Sequence, residues 1–189
     1  DDEILGCGGT IIKYKKFSEI EVIFMTDGVS SRGKKKSNAL KRKKESLNLF
    51  KFLKLKKPIF LNFPDNKLDS VPMLNIVKKI EKKINSFKPN VIITHFGHCL
   101  NIDHKKTFEA VMTACRPIKK TNIKTILSFE ILSSTEWAQN YNNSFKPNFF
   151  IDLSFVIKEK IKAIKFYKSE IKKFPHSRSL QGLDSLAKF

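Results

Sequence analysis

Cysteine is scarce: Cys7, Cys99 and Cys115 are scattered and form no Cys-x-x-Cys pair. They cannot supply a disulfide framework, and a reducing compartment is the simpler setting. Long apolar runs are also lacking, which excludes a membrane-spanning helix. There is no internal repeat and no low-complexity tract. Arginine, the usual reader of bases and phosphates, accounts for only 4 of the 37 Lys and Arg residues. The net charge of +19 invites a polyanion partner. However, abundant Lys, Ile, Asn and Phe is the residue set of an AT-rich coding sequence, and the lysines spread along polar helix faces. A solvated lysine surface is the expectation, and no nucleic-acid partner is expected.

What is present fits one domain over residues 1–189, enough to bury a single core. Hydrophobic residues make up 41 % and charged residues 29 %, the balance of a soluble globular protein. The chain opens Asp1-Asp2-Glu3 without Met, which reads as a chain cut at its N-terminus. A cytoplasmic location is expected, with no membrane span, and the oligomeric state is not legible. Ile4 to Lys16 reads as a helix. Strand-like runs follow at Glu21–Thr26, Pro58–Phe63, Val91–Thr94 and Thr125–Phe129, with a fifth at Phe149–Leu153. Helices are expected after Ser37-Asn38, over Met73, Ile76, Val77, Ile80 and Ile84, and over Asp103–Cys115. Ser154 is expected to cap a long amphipathic helix carrying Ile157, Ile161, Ile164 and Ile171. Strands that are continuous apolar runs alternating with helices predict an α/β fold with a mainly parallel, covered sheet. Ligands lie beyond the carboxyl ends of such strands. The polar stretches 27–32, 65–69 and 94–104 should therefore converge on one crevice.

Two clusters carry chemistry. Asp1, Asp2 and Glu3 on their own are acids suited to the positive end of a helix. The segment Thr94-His95-Phe96-Gly97-His98-Cys99-Leu100-Asn101-Ile102-Asp103-His104 adds three of the chain's four histidines in a loop after a strand. Histidines beside acids form a natural zinc ligand set, and a further carboxylate can take a proton from water. Gly6-Cys7-Gly8-Gly9 lacks full phosphate-loop spacing and is better read as close helix packing.

Asp1-Asp2-Glu3-Ile4-Leu5-Gly6-Cys7-Gly8-Gly9-Thr10 resembles the tail of the HPDDE…GCGGT signature of the PIG-L/LmbE-like zinc deacetylases. Thr26-Asp27-Gly28 with Ser30-Ser31-Arg32 resembles that family's TDG loop, and Arg42 with Glu45 its RxxE helix. Phe63-Pro64-Asp65 resembles its PD turn and Asn101-Ile102-Asp103-His104 its second metal motif. Pro147–Ser154 and Tyr167-Lys168-Ser169-Glu170 resemble its C-terminal block, and Ser133–Trp137 with Pro175–Ser179 suggest a bacterial subgroup. The resemblance implies a Rossmann-like three-layer fold whose first strand is not in this chain. It implies Zn2+ as cofactor with Asp2 and His104 as ligands, Asp1 as general base, and Asp103 as a residue orienting the site. Arg42 and Asp65 match positions that contact the sugar in relatives. The implied reaction removes an N-acetyl group from an amino sugar or glycan precursor, giving acetate and a free amine.

Some positions depart from the pattern. The family's third ligand, a His two places before Asp1, is not in this chain, so weaker zinc affinity is expected. Asn101 stands where many relatives have His; it donates a hydrogen bond but shuttles no proton, and His95 or His98 are candidates to replace it. Glu136 and Trp137 either line the sugar site or pack, and His176 and Arg178 meet either an acidic group of the substrate or the surface. Cys7 and Cys99 are open to a redox role. Two other functions stay open: a degenerate relative that binds a sugar without hydrolysis, and a basic polyanion-binding module.

Overall fold

The computed structural model describes residues 1–32, 36–118, 121–138 and 143–188. Among these it is a mixed α/β protein with four short strands and seven helices. The opening helix is broken in two, α1 (Asp2–Leu5) and α2 (Gly8–Tyr14), where one helix was expected. Packing explains the glycines around the break. A β-carbon on Gly6 would sit 2.1 Å from the Phe129 ring, and one on Gly9 would sit 2.3 Å from Leu153. The Gly-Cys-Gly-Gly run is thus a point of close approach and no phosphate cradle.

Strand β1 (Ile23–Thr26) leads into α3 (Lys36–Phe52), and β2 (Ile59–Phe63) lies parallel to β1. Helix α4 (Met73–Phe87) buries Ile76, Val77 and Ile80 on one face. It stops where Lys88 turns left-handed (φ 53°) and returns its N–H to the Ile84 carbonyl, just before Pro89. Strand β3 (Val91–His95) pairs in parallel with β4 (Thr125–Phe129), in register from Val91↔Thr125 to His95↔Phe129. Helix α5 (Ile102–Ala114) lies between them in sequence. A parallel neighbour needs such a crossover, so this stretch is a βαβ unit.

The expectations for the C-terminal part need correction. Residues 149–153 form no strand, and the following helix, α6 (Ile157–Ile164), is eight residues long. Ser154 does not cap it. Its N–H and hydroxyl both bond Asp152 Oδ1 in a turn that ends before the helix starts. Ile171 lies outside α6, and a further helix, α7 (Leu180–Lys188), follows.

Alternate residues of β1 face two hydrophobic clusters. Phe24 packs on the first, built from Ile4, Leu5, Ile12, Leu49, Phe50, Ile164 and Tyr167 among others. Met25 packs on the second, built from Leu68, Ile76, Val77, Ile80, Ala110 and Val111. This is the alternation expected of strands covered on both faces. Yet every described β1 residue is only half-buried. The two strand pairs are separate ladders, and a cavity of about 1660 Å³ lined by β1 and β3 runs alongside them. No described helix is long and apolar enough to cross a membrane.

Candidate metal centre

Three side chains from distant parts of the sequence meet at one carboxylate oxygen. Asp2 stands in the first turn of α1, His95 ends β3, and His104 sits in the first turn of α5. Asp2 Oδ2 lies 2.9 Å from His104 Nε2 and 3.2 Å from His95 Nε2. The two imidazoles stack with centroids 4.2 Å apart. Their ligand-type atoms lie within 4.8 Å of one another. Zinc–nitrogen and zinc–oxygen bonds of about 2.0–2.2 Å in a tetrahedron require ligand separations of about 3.3–3.5 Å. The observed spacing needs only small adjustment, and one carboxylate with two imidazoles suits zinc. The residues fit the metal.

The same contacts shift the titration of these groups. Burial alone would raise the Asp2 carboxyl, but hydrogen bonds to His104 and His95 outweigh it and hold the group well below the usual carboxylate range. Burial pushes His95 down, more than its bond to Asp2 restores. Burial also opposes charge on His104, yet its bonds to Asp2 and Cys99 raise it to about 9. Burial would raise the Cys99 thiol, but His104 and Ser134 beside it bring it down to about 7.

The three polar stretches do converge, through carboxylates that tie loops together. Asp65, only 8 % exposed, accepts from the Ser31 N–H (3.0 Å) and hydroxyl (2.6 Å), and from Thr26 Oγ1 at 3.4 Å. It joins the loop after β1 to the turn after β2. Asp103 accepts from the backbone N–H groups of Asn66 (2.6 Å) and Leu68 (3.0 Å), fixing that turn to α5. Asn101 is the N-cap of α5: its Oδ1 accepts from the N–H groups of Asp103 (2.8 Å) and His104 (3.4 Å). These three residues line the cavity and hold its rim in shape. The side chain of Arg32, in the same loop region, lies outside the described residues.

Beside the metal cluster is a compact ion network. Asp1 accepts from Arg42 Nη1 (3.2 Å) and Arg178 Nη1 (3.3 Å). Glu170 bridges the same two guanidinium groups, bonding Arg42 Nη2 through Oε1 and Arg178 Nη1 at 3.2 Å through Oε2. Arg42 also lies 3.7 Å from Glu45 and over the Tyr167 ring. Arg178 Nε donates to the Leu132 carbonyl at 3.0 Å. Arg178 therefore meets acids of its own chain.

The remaining candidates separate clearly. His176 lines the cavity and accepts the Arg178 N–H on Nδ1. His98 is exposed and packs edge-on against Phe96, away from the metal cluster. Trp137 is 61 % exposed, and neither it nor Glu136 lines the cavity. Glu136 instead accepts from the Ser133 and Ser134 N–H groups, holding a turn. Sequence reasoning offered His95 as a stand-in for Asn101; the structure places its ring against Asp2 and His104, a grouping that spacing does not reveal. It also missed Glu3, which is buried and accepts a 2.6 Å bond from the Tyr167 hydroxyl.

Comparison with known proteins adds two findings. The family model described as PIG-L: GlcNAc-PI de-N-acetylase matches residues 1–115. Among solved structures, the A40926 pseudoaglycone deacetylase Dbv21 is similar at 19 % identity and a TM-score of 0.73, over 100 % of this chain and 86 % of its own. The N,N'-diacetylchitobiose deacetylase of Pyrococcus horikoshii is similar at 20 % identity and a TM-score of 0.72, over 91 % and 67 % of the two chains. GalB, the 4-carboxy-2-hydroxymuconate hydratase of Pseudomonas putida KT2440, is similar at 14 % identity and a TM-score of 0.70, over 98 % and 80 %. At these identities the likeness establishes the fold, and a hydratase on the same fold shows that chemistry must be argued from the site.

Proposed function

The chain belongs to the PIG-L family of GlcNAc-PI de-N-acetylases, matched over more than half its length, and from that premise we propose that it is a zinc-dependent N-deacetylase of N-acetylated amino sugars or their conjugates. The carrying observation is the convergence of Asp2, His95 and His104 on one carboxylate oxygen at a cavity rim. We extend the fold reading in the same way: helices on both faces of the strand pairs correspond to a Rossmann-like three-layer arrangement, with 1–189 as one domain.

Asp2, His95 and His104 would hold the ion. When bound, it supplies Lewis-acid chemistry, polarising the acyl carbonyl and acidifying water. Asp1, one residue from the ligand Asp2, takes the proton from the attacking water. Its carboxylate is oriented by Arg42 and Arg178, which both donate to it. Asn101 and Asp103 set the pitch of α5 and with it the direction of His104. Arg42 and Asp65 border the cavity that admits the sugar, and substrate hydroxyls would compete for their present partners.

The test is acetate release from N-acetylglucosamine conjugates, measured before and after chelation and again after zinc is restored. Turnover lost on chelation and regained with zinc is expected. Turnover indifferent to the chelator would overturn the metal assignment, and binding without acetate release would favour a sugar-binding relative.

A further inference from the structure

His104 uses both ring nitrogens. Nε2 faces Asp2, and on the other side Nδ1 lies 3.1 Å from Cys99 Sγ. Cys99 is 1 % exposed and His104 7 %, so water supplies no alternative partner at this contact. A histidine can offer Nε2 to a cation only if that nitrogen is unprotonated, which places the ring proton on Nδ1. That N–H then requires an acceptor, and metal-bound histidines nearly always have one behind them.

We infer that Cys99 is a positioning residue of the metal centre, its Sγ accepting the Nδ1–H of His104 so that Nε2 stays free towards Asp2 and His95. The proposal rests on the assignment of those three residues as the metal ligands. The sulfur's surroundings complete the hydrogen-bond accounting. Ser134 Oγ lies 3.0 Å away, where either atom can donate, so the sulfur has a hydrogen-bond partner besides the imidazole. The Ile131 N–H occupies an acceptor position of Thr135 Oγ1 at 2.8 Å, leaving the Thr135 hydroxyl proton to point at Sγ across 3.5 Å. Glu136 in turn clamps the backbone N–H groups of Ser133 and Ser134. The 131–136 turn thus fixes the sulfur, the sulfur fixes the imidazole tautomer, and Glu136 acquires a supporting place without touching substrate.

Zinc dissociation constants, from competition with a chromogenic chelator, would be compared for the wild type, Cys99→Ala, Cys99→Ser and His104→Ala. Cys99→Ala is expected to bind roughly 10–100-fold more weakly. Cys99→Ser, whose hydroxyl can accept the same bond, should recover most of that loss, and His104→Ala should lose binding. Tight binding by the wild type with an unchanged Cys99→Ala would overturn the positioning role alone. No binding by the wild type would overturn the metal assignment, and this proposal with it. Two measurements need no folded variant. Ring ¹⁵N spectra of the zinc-loaded wild type should show His104 protonated on Nδ1; protonation on Nε2 would contradict the proposal. The cobalt-loaded wild type should lack a thiolate-to-cobalt charge-transfer band, whose presence would make Cys99 a ligand.

Discussion

Two clusters of charged groups stand side by side at the start of α1, and they are built on opposite principles. Around Asp1, two guanidinium groups alternate with two carboxylates, and each charge has opposite charges for neighbours. Around Asp2, two imidazoles crowd a single carboxylate oxygen and stack on each other. The first arrangement is electrostatically closed and serves to orient. In the second, one carboxylate oxygen and two imidazole nitrogens converge within 4.8 Å of one another, a donor set that suits zinc. Adjacent residues, Asp1 and Asp2, thus have different surroundings, and the proposed function gives them different work.

The comparison breaks most sharply at His104. His104→Ala should remove both bound metal and turnover, reading as loss of zinc by elemental analysis. Asp1→Asn should separate the two properties, keeping zinc while turnover falls about 10²–10⁴-fold, the usual worth of a positioned general base. Loss of zinc together with turnover would make Asp1 a ligand. Glu170→Gln sharpens the other half of the comparison. Hydrogen bonds to charged groups are worth about 1.5–3 kcal/mol each at best, and Glu170 is partly exposed, so a loss of roughly 1–2 kcal/mol in denaturant unfolding is expected.

That residue also sets a pH dependence. Burial would raise the Glu170 carboxyl, but Arg42 and Arg178 outweigh it and lower the group from its ordinary value. A carboxylate lowered in the folded state stabilises above its unfolded pKa and loses that contribution as pH falls through the folded one. Wild-type melting temperature should therefore drop on acidification below the ordinary carboxylate range, and Glu170→Gln should flatten that slope. The smallest effect is expected at Trp137, exposed and away from the cavity: Trp137→Ala should change stability by less than about 0.5 kcal/mol and leave zinc content unchanged.

The parts of this molecule legible in the sequence are those written in local pattern. The apolar runs that became β1 to β4 and the three- and four-residue spacing of α4 predicted their elements directly. Local signals failed where tertiary contacts decide. Residues 149–153 carry a strand's composition but pair with no strand, while Lys13 Nζ holds the Asp152 carbonyl at 2.8 Å from α2. Around the break between α1 and α2, Phe129 and Leu153 close on Gly6 and Gly9, contacts no window of sequence reveals. At the site, the acids and histidines were visible as residue types. Their grouping was not: His95 reaches Asp2 only because the β3–β4 ladder carries it to the end of its strand. Arg178 could not be assigned from spacing because its partners, Asp1 and Glu170, come from opposite ends of the chain.

The central claim is that Asp2, His95 and His104 form one metal centre, and zinc content tests it most directly. Elemental analysis of the purified protein, its His95→Ala form and its His104→Ala form should give close to one zinc per chain in the first and little in either variant. Full zinc retention by His95→Ala would remove that residue from the centre, and no zinc in the unaltered protein would contradict the claim itself.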